Sequence, residues 1–302
     1  MFNKCKIEII VPHYSSYLDS LVSSWKSNDL YFTQDYDHLD QRIFSAFSPH
    51  IERIKTEKEL ARRILSLNIL VNGAMFVADA KTRTKIEFAN YHIEDKDFDK
   101  SIEKNGYAGF WTDTIEEYPF ENDEEFYLVE ENRNLPKRAD LDAMLFSISK
   151  FDYIVRTLLF QAGVIFNNGI NDKILTWNTL YKMVDTVKAG CKDIGIDYKT
   201  LIDETSLEKF TAACNNPTVL GVYARHGGIG KNITRIQPIT HIEEAISLIL
   251  CFANRFSQMY VTNKGYITID NIQISKCVHQ VYIDPWDSSK IDYSEFKDFV
   301  DF

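Results

Sequence analysis

The stretch TEKELARRILSLNILVNGAMF, residues 56–76, decides the fold, because its apolar residues recur at the spacing of one helical face. Such a repeat at intervals of three and four residues is typical of an amphipathic α-helix. Thr56 precedes the repeat as a candidate N-cap, and Gly73 weakens the helix near its end. The sequence therefore predicts a long helix over residues 56–76. Its apolar face is formed by Leu60, Ile64, Leu67, Leu70 and Val71.

Shorter elements lie on both sides of this helix. Residues 5–11, CKIEIIV, are apolar and β-branched, which predicts a strand. Residues 81–93, KTRTKIEFANYHI, indicate a turn followed by a second strand. Residues 40–54 are predicted to form a further helix. The first part of the chain is therefore expected to combine strands with helices.

The sequence becomes strongly helical from Asp140 onwards, where apolar residues recur at helical intervals. Ser206 is the predicted cap of one of these helices, and Thr240 with Glu243 has the pattern of a capping box at another. Helices are predicted over residues 139–166, 174–195, 206–216 and 240–261. Two β-rich runs follow, GYITIDNIQI and CVHQVYIDPW, and are expected to pair as a hairpin.

Pro136, within the polar run ENRNLPKRAD, marks the predicted boundary between the two halves of the chain. We therefore predict an α+β protein in three parts. Residues 1–136 form an N-terminal domain of mixed strands and helices, residues 137–260 form a helical bundle, and residues 261–302 form a β-hairpin with an acidic tail.

Residues 93–132, which we name the acidic segment, carry nearly all of the net charge. They hold fourteen acidic residues and three lysines, so the segment has a charge of −11 in a chain whose total is −10. Aromatic residues are interleaved with the acids. The segment is expected to be an acidic face of the fold, a docking surface for a basic partner, or a mimic of nucleic acid. Trp111, Glu124 and Glu125 are its candidate binding residues, and the basic pair Arg62–Arg63 is expected to pair with it.

Composition also excludes several classes of protein. An acidic chain is not expected to hold nucleic acid by bulk charge. Five cysteines without CxxC spacing favour a reducing compartment and predict neither a zinc site nor a disulfide framework. Residues 158–166 and 245–253 are the longest apolar runs noted, far short of the roughly 20 residues that span a membrane. We therefore expect a cytoplasmic location, no cofactor, no metal ion and no membrane contact.

The strongest local motif is FTAACNNPTVLGVYARHGG, residues 210–228. The guanidinium of Arg225 suits a phosphate, the imidazole of His226 can exchange a proton near neutral pH, and the amide of Asn216 can orient the imidazole or a substrate. These three groups suffice for metal-independent cleavage of RNA. An alternative is that Arg225 and His226 only satisfy the end of a helix. The neighbouring candidates for anion binding are Asn215, Gly227, Gly228 and Lys231.

Residues 175–250 resemble a C-terminal module of uncharacterised bacterial proteins. The residues that carry the resemblance are Trp177, Leu180, Tyr181, Phe210, Thr211, Asn215, Asn216, Gly221, Ala224, Arg225, His226, Pro238, Glu244 and Ala245. More distantly the module is similar to HEPN domains, which are helical bundles whose active members cut RNA with an Arg–polar–x4–6–His motif. In this chain the arginine and histidine are adjacent. The resemblance implies a helical bundle and a role in RNA cleavage for Arg225 and His226.

Two functions are therefore expected from the sequence. The first is a non-enzymatic, protein-binding and oligomeric component of bacterial phage defence or counter-defence. The second is a HEPN-like RNase of a conflict or stress system. Few basic residues lie close to the Arg225 motif, whereas an RNase usually gathers positive charge around its cleft. This charge layout favours a protein partner or self-association over RNA.

Overall fold

The computed structural model describes residues 5–10, 15–25, 27, 29–52, 54, 57–80, 85–93, 99–101, 116–121, 140–167, 173–221, 224–225 and 236–266. Eight α-helices lie within these residues: α1 (Ser15–Ser24), α2 (Glu57–Ala78), α3 (Leu141–Ile148), α4 (Tyr153–Asn167), α5 (Lys173–Asp193), α6 (Glu204–Asn215), α7 (Pro217–Leu220) and α8 (Ile242–Asn263). The strands are β1 (Cys5–Ile10), β2 (Tyr31–Tyr36), β3 (Arg42–Phe47), β4 (Glu87–Ile93) and β5 (Asp99–Ser101).

The strands form one antiparallel sheet in the order β2-β3-β1-β4-β5. Ile7 of β1 lies opposite Ala46 of β3 and Tyr91 of β4, and all three side chains are buried. Because side chains alternate along a strand, this register gives the sheet one apolar face toward the core. The α+β fold class is thus confirmed, while the predicted terminal hairpin lies outside the described residues.

The helix predicted over residues 40–54 is wrong. The structure has β3 (Arg42–Phe47) and a 3₁₀ turn at Pro49–Ile51 there. In β3 Phe44, Ser45 and Ala46 are all buried, and the strand is hydrogen-bonded to a neighbouring strand on each side. Pairing of β3 with both β1 and β2 therefore outweighs the local preference for a helix.

Two helix caps also differ from the sequence prediction. The cap of α6 is Asp203 instead of Ser206, and its carboxylate accepts a hydrogen bond from the backbone N–H of Ser206. The residue that caps α8 is His241 instead of Thr240, and it has no side-chain capping bond. In both cases the helix begins at a different residue from the one that the pattern indicates, which moves the cap with it.

Helix α2 lies at the centre of the core and makes its most extensive contact with α4. The two backbones approach closely because each helix has a glycine at the crossing, Gly73 in α2 and Gly163 in α4. One continuous cluster of buried apolar side chains joins the sheet, α2 and the later helices. The boundary proposed at residue 136 remains a prediction.

Two buried asparagine side chains join α2 to other parts of the fold. Asn72 donates to the backbone carbonyl of Ile86 and accepts from its N–H, each at 2.9 Å. Asn254 of α8 donates to the carbonyls of Val77 and Ala78, at 2.8 and 2.9 Å. Both carbonyls belong to the last turn of α2, so Asn254 caps that helix end from a distant part of the chain.

A buried ionic cluster joins the sheet region to α3. Asp29 Oδ1 accepts from Lys150 Nζ at 2.7 Å and lies 2.8 Å from His50 Nε2. His50 Nδ1 accepts the backbone N–H of Glu121, so the ring is neutral and donates through Nε2 to Asp29. Burial lowers the pKa of His50, which agrees with a neutral ring. One carboxylate thus faces one ammonium group inside the core.

Residues 116–121 of the acidic segment pack against this cluster. Phe120 is buried against His50 and Phe146, with ring centroids 5.2 and 5.8 Å apart. Arg63 contacts Glu116 Oε1 at 2.6 Å and Glu121 Oε2 at 3.7 Å. The expected pairing of the basic pair Arg62–Arg63 with the acidic segment is therefore confirmed at Arg63.

Two further features concern the membrane and redox expectations. Within the described residues, Glu59–Ala78 is long and apolar enough to span a membrane, and 83% of its apolar window is buried inside the protein. Cys5, Cys191 and Cys214 are free and buried, whereas Cys251 is disulfide-bonded, which the cysteine spacing does not predict.

Candidate binding site at the corner between α6 and α7

The predicted motif folds into a sharp corner between two helices. Asn216 ends α6 and caps α7, because its Oδ1 accepts from the N–H and the hydroxyl of Thr218 at 2.9 and 2.8 Å. Pro217 occupies the first turn of α7, where its missing N–H has no cost. Gly221 ends α7 with φ of 61°, a conformation that favours glycine. The carboxamide oxygen of Asn216 is thus already engaged by the protein.

Arg225 lies against the corner and is held at two points. Its backbone N–H donates to the carbonyl of Cys214 at 3.0 Å, which ties it to the last turn of α6. Its guanidinium stacks on the ring of Tyr181 from α5, with Cζ 4.1 Å from the ring centroid, and donates to the Tyr181 hydroxyl. The side chain is nevertheless exposed. The corner therefore presents a positively charged fork on an aromatic support.

Two titratable groups close to Arg225, Cys214 and Tyr181, are not activated for chemistry. Burial raises the pKa of the Cys214 thiol to about 12, and the nearby charge of Arg225 only opposes this. Burial likewise raises the pKa of Tyr181 against the effect of Arg225. Both groups are therefore protonated at neutral pH, and neither supplies a nucleophile or a general base.

A cavity of about 340 Å³ is lined mainly by residues of α5, of α6 and of the loop between them. Asn215 lines it, and its buried Oδ1 has no hydrogen-bond partner. Lys188 also lines the cavity, with its Nζ 4.8 Å from the ring centroid of Tyr198. Because a buried acceptor without a donor is costly, Asn215 is suited to a ligand that brings an N–H or O–H group.

The structure brings together three of the predicted site residues, Asn215, Asn216 and Arg225, at one corner. The remaining candidates lie outside the described residues: His226, Gly227, Gly228, Lys231, Trp111, Glu124 and Glu125. Within the described part of the chain, no group of three or more His, Cys, Asp or Glu side chains is arranged to hold a metal ion.

Sequence reasoning did not assign Tyr181, Lys188 and Tyr198 to the site. Tyr181 is among the residues that carry the resemblance, but its contact with Arg225 leaves no local sequence signal because 44 residues separate the two. Nothing in the local sequence around Lys188 or Tyr198 indicates that these residues line a cavity. The only available signal was the recurrence of the Trp–Leu–Tyr helix in the same module as the arginine.

Comparison of the chain with models of protein families, with curated proteins and with solved structures gives no match.

Proposed function

We propose that the chain is a non-enzymatic, protein-binding protein that associates with itself. We further propose that it belongs to a bacterial phage-defence or counter-defence system. The single observation that supports binding best is the exposed Arg225 stacked on Tyr181 at the corner between α6 and α7. The bacterial or phage setting rests on the sequence resemblance of residues 175–250 alone.

Arginine and tyrosine are the residue types that contribute most to protein interfaces. The ring of Tyr181 holds the guanidinium of Arg225 in place, so less rotamer entropy is lost when a partner binds. Only one guanidinium nitrogen is engaged by Tyr181, and the remaining N–H groups are suited to a carboxylate or to backbone carbonyls. The partner surface expected at this corner is therefore acidic or rich in hydrogen-bond acceptors.

The two candidate catalytic groups that are described serve the protein itself. Asn216 caps α7 through its Oδ1, and Arg225 is bound to Tyr181 and Cys214. An RNase built on these residues would need both groups to turn toward a phosphate. The exposed guanidinium of Arg225 also supports a second proposal, the HEPN-like RNase. In that proposal His226 is the proton-transfer group.

The corner is tested by comparing Arg225→Ala with Lys182→Ala, which removes an exposed cation from the neighbouring position on α5. We expect Arg225→Ala to weaken partner binding at least tenfold, as for an interface hot spot, and Lys182→Ala to leave it unchanged. The measurement is the native mass of each purified variant, alone and in bacterial lysate.

Two results would contradict the binding proposal. The first is that Arg225→Ala forms the same complexes with partner proteins from the lysate as the wild type does. The second is RNA cleavage by the wild-type chain that Arg225→Ala abolishes while the folded state is retained, which would support the RNase.

A further inference from the structure

Among the described strands, β2 lies at an edge of the sheet and pairs on one side only, with β3. Its six residues run in unbroken register from Tyr31 opposite Phe47 to Tyr36 opposite Arg42. The N–H of Asp37 donates to the carbonyl of Gln41 at 2.9 Å, which makes these two residues a hydrogen-bonded pair. Because such pairs alternate along an antiparallel ladder, the backbone groups of Phe32, Gln34 and Tyr36 point away from β3.

Most of these outward groups are unpartnered. The N–H of Tyr36 donates to Oδ1 of the neighbouring Asp35 at 2.9 Å. Within the described part of the chain, no hydrogen bond engages the backbone of Phe32 or Gln34 beyond the β2–β3 ladder. The outer side of β2 is therefore a template for one more strand.

Several of the usual protections of an edge strand are missing from β2, although helix α1 contacts it and Asp35 carries a charge. The sequence YFTQDY has no lysine and no proline, and its pairing has no bulge. Two of the most exposed large apolar side chains lie at the same end of the strand, Tyr36 at 58% and Leu39 in the adjoining turn at 65%. Such exposure beside an open edge is typical of an interaction surface.

We infer that β2 is a dimerisation edge whose occupant is β2 of a second copy of this chain. The inference rests on the proposed self-association and names its surface. Antiparallel pairing about a two-fold axis at Gln34 places Phe32 opposite the partner's Tyr36 and Gln34 opposite the partner's Gln34. Every outward group of one copy then meets a complementary group of the other. The two five-stranded sheets become one continuous sheet.

The charges of the strand favour this register. Asp35 is the only acid in β2, and the two-fold places it opposite the partner's Thr33 rather than the partner's Asp35. Arg42, on the neighbouring strand, is neutralised by Asp19 at 2.9 Å. The net charge of −10 lies mainly in the acidic segment, so repulsion between copies acts at long range and is screened by salt. We expect the dimer to strengthen as the ionic strength rises.

The edge is tested by sedimentation velocity over a wide concentration range with Gln34→Pro and Gln34→Ala. Proline removes the outward N–H of Gln34 and blocks the edge, but leaves the bonds to β3 because that N–H points away from them. Alanine retains the N–H and is the matched control. We expect wild type and Gln34→Ala to reach twice the chain mass of 35.1 kDa, and Gln34→Pro to stay monomeric.

A pair of lysine variants tests the register and guards against misfolding of Gln34→Pro. Gln34→Lys sets two ammonium groups against each other at the two-fold, whereas Thr33→Lys sets one against the partner's Asp35. We expect the first to abolish the dimer and the second to retain it. A dimer that survives both Gln34→Pro and Gln34→Lys would overturn the edge but leave self-association intact. A wild-type chain that is monomeric at every concentration would overturn both.

Discussion

Gly73→Ala is expected to lower the free energy of unfolding by about 3 kcal/mol or more. A Cβ atom at this position would lie 1.8 Å from the backbone oxygen of Leu159, and a backbone atom cannot turn aside as a side chain can. Gly163 makes the reciprocal contact, with its Cβ position 2.0 Å from the oxygen of Ile69. Relief of either clash therefore requires α2 and α4 to separate, which opens the largest helix contact in the core.

Urea unfolding monitored by circular dichroism measures this loss. Gly195→Ala is the matched control, because Gly195 has φ of 70° but nothing within 4 Å of its Cβ position. Its cost is expected to be about 1 kcal/mol, from backbone strain alone. If Gly73→Ala were as mild as Gly195→Ala, the close crossing of α2 and α4 would be wrong. The double variant Gly73→Ala/Gly163→Ala should cost less than the sum of the two, since one separation relieves both clashes.

Asp29→Ala is expected to destabilise the fold by about 3–5 kcal/mol, because it removes the carboxylate that faces the buried ammonium group of Lys150. Asp29, His50 and Lys150 are all less than 9% exposed. The exposed ion pair between Arg42 and Asp19 provides the control, and Arg42→Ala should cost about 0–1 kcal/mol. Equal costs for Asp29→Ala and Arg42→Ala in urea unfolding would contradict a buried cluster.

The same cluster predicts an acid dependence. Burial alone would raise the pKa of Asp29, but hydrogen bonds from His50 and Lys150 and the charge of Lys150 outweigh it, so the pKa is lowered. A lowered pKa means that the stabilisation is fully present above the ordinary pKa of aspartate, about 3.9, and is lost as the pH falls through the lower folded value. Asp29→Asn should lack this component. Acid-unfolding curves of the two proteins that run parallel below pH of about 4 would refute it.

The elements that could be predicted from the sequence are those with a clear pattern of apolar residues. Helices α2, α5 and α8 and strands β1 and β4 lie where their patterns indicate, because each pattern reports on one buried face. Strand β3 could not be predicted, because its sequence RIFSAF does not alternate between apolar and polar residues and the strand depends on pairing with β1 and β2. The caps of α6 and α8 were displaced for a similar reason, since helix ends depend on packing as well as on local sequence.

The chemistry of the corner was only partly predictable. The spacing within residues 210–228 identified Asn215, Asn216 and Arg225, because all three lie on one local turn. It did not identify Tyr181 as the support of Arg225, nor the cluster of Asp29 with Lys150, whose members are 121 residues apart. Such contacts arise from the packing of α3 and α5 and leave no mark on the neighbouring sequence.

Self-association without RNA cleavage is the central claim, and one measurement tests it most directly. The native mass of the purified wild-type chain is followed with rising concentration while the same samples are incubated with RNA. The proposed function predicts species heavier than 35.1 kDa that increase with concentration, and RNA that stays intact. A 35.1 kDa monomer at every concentration, together with RNA cleavage that Arg225→Ala abolishes, would contradict it.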